Sequence, residues 1–233
     1  MEIGGWRERV DWGWIARGVK IALPLLVATL ALRGLFTFDR YWLEALSGIE
    51  VVGAYVLYMG IASAMMSFLD AGVFAFIYPG LITSYQRGEV FEYRRGIKKM
   101  LVQTTVFSIL FAVVALVAIG PFLDWLNKPL YQEVRSMFPL LLLASTLYAL
   151  GMIPHYALYA QGQDRPLVFS HVASLIVFGL AAWLFSFNWP QLAIPFGLTA
   201  AFLLILVWKC YAYFRLTPPQ YRNQCSESPK ALI

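Results

Sequence analysis

Charge is scarce in this 233-residue chain, with only 13% of residues Asp, Glu, Lys or Arg. Soluble domains carry roughly 25%. Half that charge beside 60% hydrophobic residues argues against a soluble cytosolic enzyme, because so much apolar surface requires another solvent. Cysteine and histidine are scarcer still, at two each. Cys210 and Cys225 form no spaced set, so neither a disulfide framework nor a zinc site is expected. Paired Asp-rich motifs, HExxH, GxSxG and the phosphate-cradling GxxxxGK are all missing. No catalytic activity and no cofactor are therefore expected. Disorder is excluded by 16% aromatics and long apolar runs.

Those runs are the main feature present. Six can be read: Val19 to Phe38, Val51 to Ile82, Met100 to Leu123, Met137 to Ala160, Pro166 to Phe187 and Leu192 to Phe214. A helix needs about 20 apolar residues to cross a bilayer, and none of the runs alternates as barrel strands do. The expected fold class is an all-α integral membrane protein with six transmembrane helices. The second run would be roughly 47 Å long as a helix, against a hydrocarbon core of about 30 Å. It must tilt, kink or project beyond the bilayer.

Basic residues set the expected orientation. Arg7, Arg9, Arg17 and Lys20 precede or open the first run, and Arg87, Arg94, Arg95, Lys98 and Lys99 follow the second. Arg165 lies between the fourth and fifth, and Lys209, Arg215, Arg222 and Lys230 lie at the C-terminal end. The other side holds only Arg40, Lys128 and Arg135. Positive residues gather on the cytoplasmic side, so both termini are expected there, and the net charge of +5 belongs to loops rather than to a nucleic-acid surface. All eight tryptophans fall near the ends of the runs, as expected for headgroup anchors. No cleavable signal peptide is visible. Residues 1–18 read as an interfacial segment, with Trp6, Val10 and Trp14 on one helical face, or equally as a linker. Residues 19–214 form the six-helix lobe, and 215–233 a polar, disordered cytoplasmic tail.

Polar groups inside spans are costly and mark candidate sites. Arg33 reads either as a snorkelling cation or as a cavity cation for an anionic headgroup, with Arg40 on the same face. Asp70 is the one acid within a run, open to an ion-coupling role or to an ion pair with Arg33. Ser63, Ser67, Ala71 and Ala75 form a small-residue stripe of the kind that packs helices closely. Tyr148, Met152, His155 and Tyr159 share a face of the fourth run, suited to lining a sugar-binding cavity or to plain packing, with Pro154 bending it. His171 reads as a packing residue, with proton relay as its functional alternative.

The order of several short pieces resembles a known family. These are ALPLL (Ala22 to Leu26), FDRYWLEALSGIEVVGAY (Phe38 to Tyr55), IYPGL (Ile77 to Leu81), the basic RGEVFEYRRGIKKM, and Tyr131 to Phe169. Together they resemble polysaccharide biosynthesis membrane proteins, the lipid-linked oligosaccharide (O-antigen type) flippases of the multidrug/oligosaccharidyl-lipid/polysaccharide exporter superfamily. The likeness spans Trp12 to about Phe214 and matches the second of two six-helix lobes. It implies transport of a polyprenyl-diphosphate-linked oligosaccharide across a bacterial inner membrane for lipopolysaccharide or other surface-polysaccharide assembly. Arg33 and Arg40 would counter the diphosphate, Tyr148, His155 and Tyr159 would line the cavity, and Asp70 would couple an ion. The expected partners are the lipid-linked oligosaccharide, membrane lipids and a second lobe, from a copy of this chain or a separate one. A single lobe lacks the two halves that rock in alternating access, so the chain reads as a fragment, a split product or a pairing subunit. Rival readings are a non-transporting scaffold of a glycan-assembly complex, a cation-coupled drug antiporter, and an integral-membrane enzyme acting on polyprenyl lipids.

Overall fold

The computed structural model describes residues 11–222, all-helical with no strand among them. Trp6, Arg7, Arg9, Val10, Cys225 and Lys230 lie outside the described residues. The elements are α1 (Trp12–Ser47), α2 (Ile49–Leu69), a π-helical turn (Asp70–Phe74), α3 (Ala75–Gln86), α4 (Val90–Leu126), the short α5 (Pro129–Glu133), α6 (Met137–Ala160), α7 (Arg165–Ser186), α8 (Ala193–Leu216) and the short α9 (Pro219–Arg222). With α2 and α3 counted as one continuous rod, six helices are long and apolar enough to cross a membrane. The chain is a multi-pass membrane protein by this criterion.

Several spans are longer than their apolar runs. Helix α1 opens at Trp12, where the Asp11 carboxylate accepts a hydrogen bond of 2.9 Å from the Trp14 N–H. It then runs to Ser47, and Gly48 alone turns the chain into α2, with φ +85° and ψ 165°. That backbone conformation is essentially restricted to glycine. The residues expected to link the first two spans are therefore helical, and Asp39 lies within a helix rather than beyond it. The basic stretch after the second run is helical in the same way. Only Arg87–Glu89 separates α3 from α4, so Arg94, Arg95, Lys98 and Lys99 sit on the first turns of α4. Hydropathy marks the hydrocarbon-matched part of a helix, whereas its hydrogen-bond ladder continues into the polar headgroup layer.

The second rod is neither straight nor uniformly α-helical. Ala75 N–H donates to the Asp70 carbonyl five residues back, which inserts the π-helical turn at mid-length. Pro79 follows in α3 and removes a further ladder donor.

Helix α8 is central, packed on one side by α6 and on the other by α7. Helix α1 lies against α7, and α2 lies against α6. Close approach is built from glycine: a Cβ on Gly197 would meet the Phe178 ring at 3.0 Å and the Ala182 methyl at 3.1 Å. Tyr55, Tyr58, Phe138, Phe178 and Phe202 fill the core between these helices. The outward faces carry large exposed apolar side chains such as Val113, Val117, Leu180 and Leu184. Continuous apolar surface of that kind suits lipid and not water.

Candidate functional site

Because α1 leans on α7 while α2 leans on α6, the two helices diverge from Gly48 and leave a groove between them. Its floor is Tyr148 and Ser145 of α6 and Phe202 of α8, and its walls are Phe36 of α1 and Met59, Ser63, Met66 and Ser67 of α2. Asp70 closes one end, and the volume is about 230 Å³. Three serine hydroxyls and one carboxylate are thus set among aromatic rings and thioethers. Such a lining suits an amphipathic molecule or a small cation with oxygen ligands.

The groove contradicts one expectation. Ser63, Ser67, Ala71 and Ala75 are all exposed, so within this chain the small-residue stripe packs no helix. A Cβ at Gly60 or Gly72 would likewise meet nothing within 4 Å. The stripe lines open space, because α2 and α3 bury their other faces, including Tyr58, Met65, Leu69 and Phe74.

Asp70 lines the groove, whereas Arg33 on α1 is outside its lining, and the two are not paired. Among the described residues the ion pairs are Arg87–Glu89 at 4.0 Å and Arg95–Glu92 at 3.9 Å, so Arg33 is not bridged to Asp70. Both side chains are exposed, and the Tyr148 hydroxyl lies within the electrostatic reach of each. Neither charge is neutralised by the other, which leaves both free to engage a third charged group. Asp70 also sits at the π-helical turn, a feature frequent at functional positions in helices. Arg40 lies exposed on the same flank of α1 as Arg33.

Asp39, next to Arg40, has a different task. It is buried, and its carboxylate accepts hydrogen bonds from the Tyr55 hydroxyl at 2.5 Å and the Arg40 N–H at 2.7 Å. The local sequence FDRYW offered no sign of this, because the pairing depends on α2 folding back at Gly48.

The face proposed along α6 divides. Tyr148 lines the groove, whereas Tyr159 is exposed and rests against Tyr78 with centroids 5.8 Å apart, away from the groove. Neither His155 nor its neighbour Tyr156 lines the groove; Tyr156 packs on Phe74 and Tyr78. His155 itself turns between α6 and α8 towards Lys209, whose ammonium lies 3.1 Å from His155 Nδ1 and 3.1 Å from His171 Nε2. Helical spacing fits both outcomes, since positions seven and eight residues on from Tyr148 differ by a single 100° step.

Lys209 was expected at the cytoplasmic C-terminal end and is instead fully buried in the bundle. It stands about 10 Å inside the end of α8. The signal that could have located it was its place within the last apolar run, between Trp208 and Cys210.

A second groove, of about 470 Å³ between α1 and α7, is lined by Phe38, Tyr41, Trp42, Leu175, Phe178 and Gly179. It holds no charged side chain and suits lipid chains.

Among the described residues no three His, Cys, Asp or Glu side chains are placed to hold a metal ion. Compared with known proteins, the chain matches no protein family, no curated protein and no solved structure.

Proposed function

We propose that the chain is one lobe of a transporter that carries a polyprenyl-diphosphate-linked oligosaccharide across a bacterial inner membrane. The observation that carries this reading is the lateral amphipathic groove between α1 and α2, with Asp70 in its lining and Arg33 exposed and unpaired on α1, one turn before the lining residue Phe36. A lipid-linked diphosphate needs three things from a protein: an opening towards lipid, a cation for the phosphates and polar groups for the glycan. The gap between the helices, Arg33 with Arg40 beyond it, and the serine and tyrosine hydroxyls provide these in turn. Moving such a charge through bare hydrocarbon is prohibitive, and protein dipoles that replace its hydration lower that barrier.

The uncovered stripe of α2 and α3 is the face at which a second lobe would complete the cavity, from another copy or a separate chain. Basic residues at the α3–α4 turn support cytoplasmic termini. In this arrangement the chain acts as a carrier and not as an enzyme.

The test is Arg33→Ala in cells whose surface glycan export depends on this chain. At normal protein levels export is expected to fall at least about tenfold, the loss of one charge-assisted contact. Intact export would remove Arg33 from the mechanism. A second reading, a cation-coupled drug antiporter, is favoured by the oxygen ligands around Asp70. Efflux of a labelled organic cation that needs Asp70 but not Arg33 would select it.

A further inference from the structure

Lys209, His155 and His171 bring three helices together in the interior of the bundle without any carboxylate among them. Lys209 reaches from α8 to a ring on α6 and a ring on α7, both at 3.1 Å. The two imidazoles lie parallel, 7° apart in plane with centroids 6.1 Å apart, and the ammonium bridges their nitrogens. Each residue stands about 8 to 11 Å inside the same end of its helix. Lys209 is fully buried and His171 nearly so, while His155 is half-buried.

Among the described residues no carboxylate is paired with the trio. From α1 the cluster meets the Ala28 backbone, from α6 His155 and the edge of the Tyr156 ring, from α7 His171, and from α8 Lys209 itself. Asp70 lies at the groove with Tyr148, and among the described residues no hydrogen bond or ion pair joins it to the trio.

Hydrogen-bond bookkeeping then determines the protons. While Lys209 is an ammonium it only donates, so His155 Nδ1 and His171 Nε2 then both present lone pairs. The N–H of His171 is then on Nδ1. Both rings are therefore neutral while the bridge is closed.

We propose that this trio is a proton-binding site that couples hydrogen-ion movement to the groove, an inference that rests on the transport reading for its purpose but not for its chemistry. Lys209 is the member that gives and takes the proton, because two cations side by side in a medium of low dielectric exclude a second proton on either ring. On release one Nζ–H bond breaks, the proton passes to water as hydronium, and the amine is left neutral with a lone pair in place of one donor. The bridge that the ammonium holds between α6, α7 and α8 then loosens. Uptake of a proton from hydronium restores the ammonium, and the bridge closes.

The consequence reaches the groove through one helix. His155 belongs to the trio, and Tyr156 is the next residue. Pro154 immediately before them lacks the N–H that would bind the Leu150 carbonyl, a soft point in α6. Motion of α6 at His155 therefore moves Tyr156, whose ring packs on Phe74 of the π-helical turn that begins at Asp70.

The chain has only two histidines, which makes the test direct. Full-length protein in lipid nanodiscs, labelled with nitrogen-15 histidine, is titrated by NMR between about pH 5 and 8. The expected result is that His155 begins as the Nε2–H tautomer and His171 as the Nδ1–H tautomer. Both signals then change in a single transition, and hydrogen exchange in α6 and at Ser63–Phe74 rises several-fold across it. Ring signals that stay constant throughout, or that change independently of each other, would overturn the proton site. A linked transition without any change in exchange would overturn the coupling. Lys209→Met is expected to abolish the linked transition, and the wild-type titration decides the matter even if that variant does not fold. A linked transition in a protein whose deletion leaves surface-glycan export unchanged supports the proton site while removing the lipid-transport reading.

Discussion

The Tyr55 hydroxyl donates a hydrogen bond of 2.5 Å to the Asp39 carboxylate, tying α2 to α1 on either side of the turn at Gly48. Both residues are buried, so the bond does more than decorate the contact. It satisfies a carboxylate that otherwise has only the Arg40 N–H, and so holds together the two helices that bound the groove. Tyr55→Phe should therefore destabilise the protein by about 1–3 kcal/mol, the cost of leaving a buried acceptor short of a donor. Reversible unfolding in mixed detergent measures it, and a change near zero would mean that water replaces the phenol.

Gly48 carries the same junction. With φ +85° and ψ 165° it occupies a region that other residues rarely adopt, although its Cβ position is empty. The strain is in the backbone and not in space. Gly48→Ala should cost about 1–3 kcal/mol, whereas Gly60→Ala, also with open space but in a regular helix, should be neutral or slightly stabilising. Equal effects in a thermal unfolding assay would refute the assignment of strain to Gly48.

At Gly197 the constraint is spatial instead. The α7 surface lies 3.0–3.1 Å from where a Cβ would be. Gly197→Leu should separate α7 from α8 and destabilise by about 1–3 kcal/mol, as overpacking does. Since α8 also carries Lys209, the separation should alter the histidine NMR signals even where the fold survives.

The groove can be blocked without disturbing the core. Ser67 is exposed and lines it, so Ser67→Trp should change stability by no more than about 0.5 kcal/mol while reducing export at least about tenfold by filling the space. Normal export with the indole in place would show that the substrate takes another path.

Some of this was legible in the amino-acid order. The six spans follow from run length and composition, since a helix crossing hydrocarbon must be apolar along its whole length. The excess length of the second rod called for a tilt, a kink or a projection beyond the bilayer, and the π-helical turn at Asp70 is a local distortion within it. Arg33 and Asp70 stood out because a charge in such a run is conspicuous, and Asp70 lines the groove. Where the reading failed, the cause was rotation about a helix axis. With apolar residues on every side, periodicity does not say which side faces a neighbour. The small-residue stripe was therefore given to packing, and His155 was grouped with Tyr148.

The sequence by itself determined the solvent, the number of spans and the conspicuous charges, because those depend on how many apolar residues stand in a row. Tertiary structure alone decided which polar groups meet: Tyr55 with Asp39, Lys209 with both histidines, and Arg33 apart from Asp70. Each of these relationships joins residues on different helices. Their meeting depends on a backbone turn at Gly48 and on the packing of α8 between α6 and α7, which no stretch of local sequence contains.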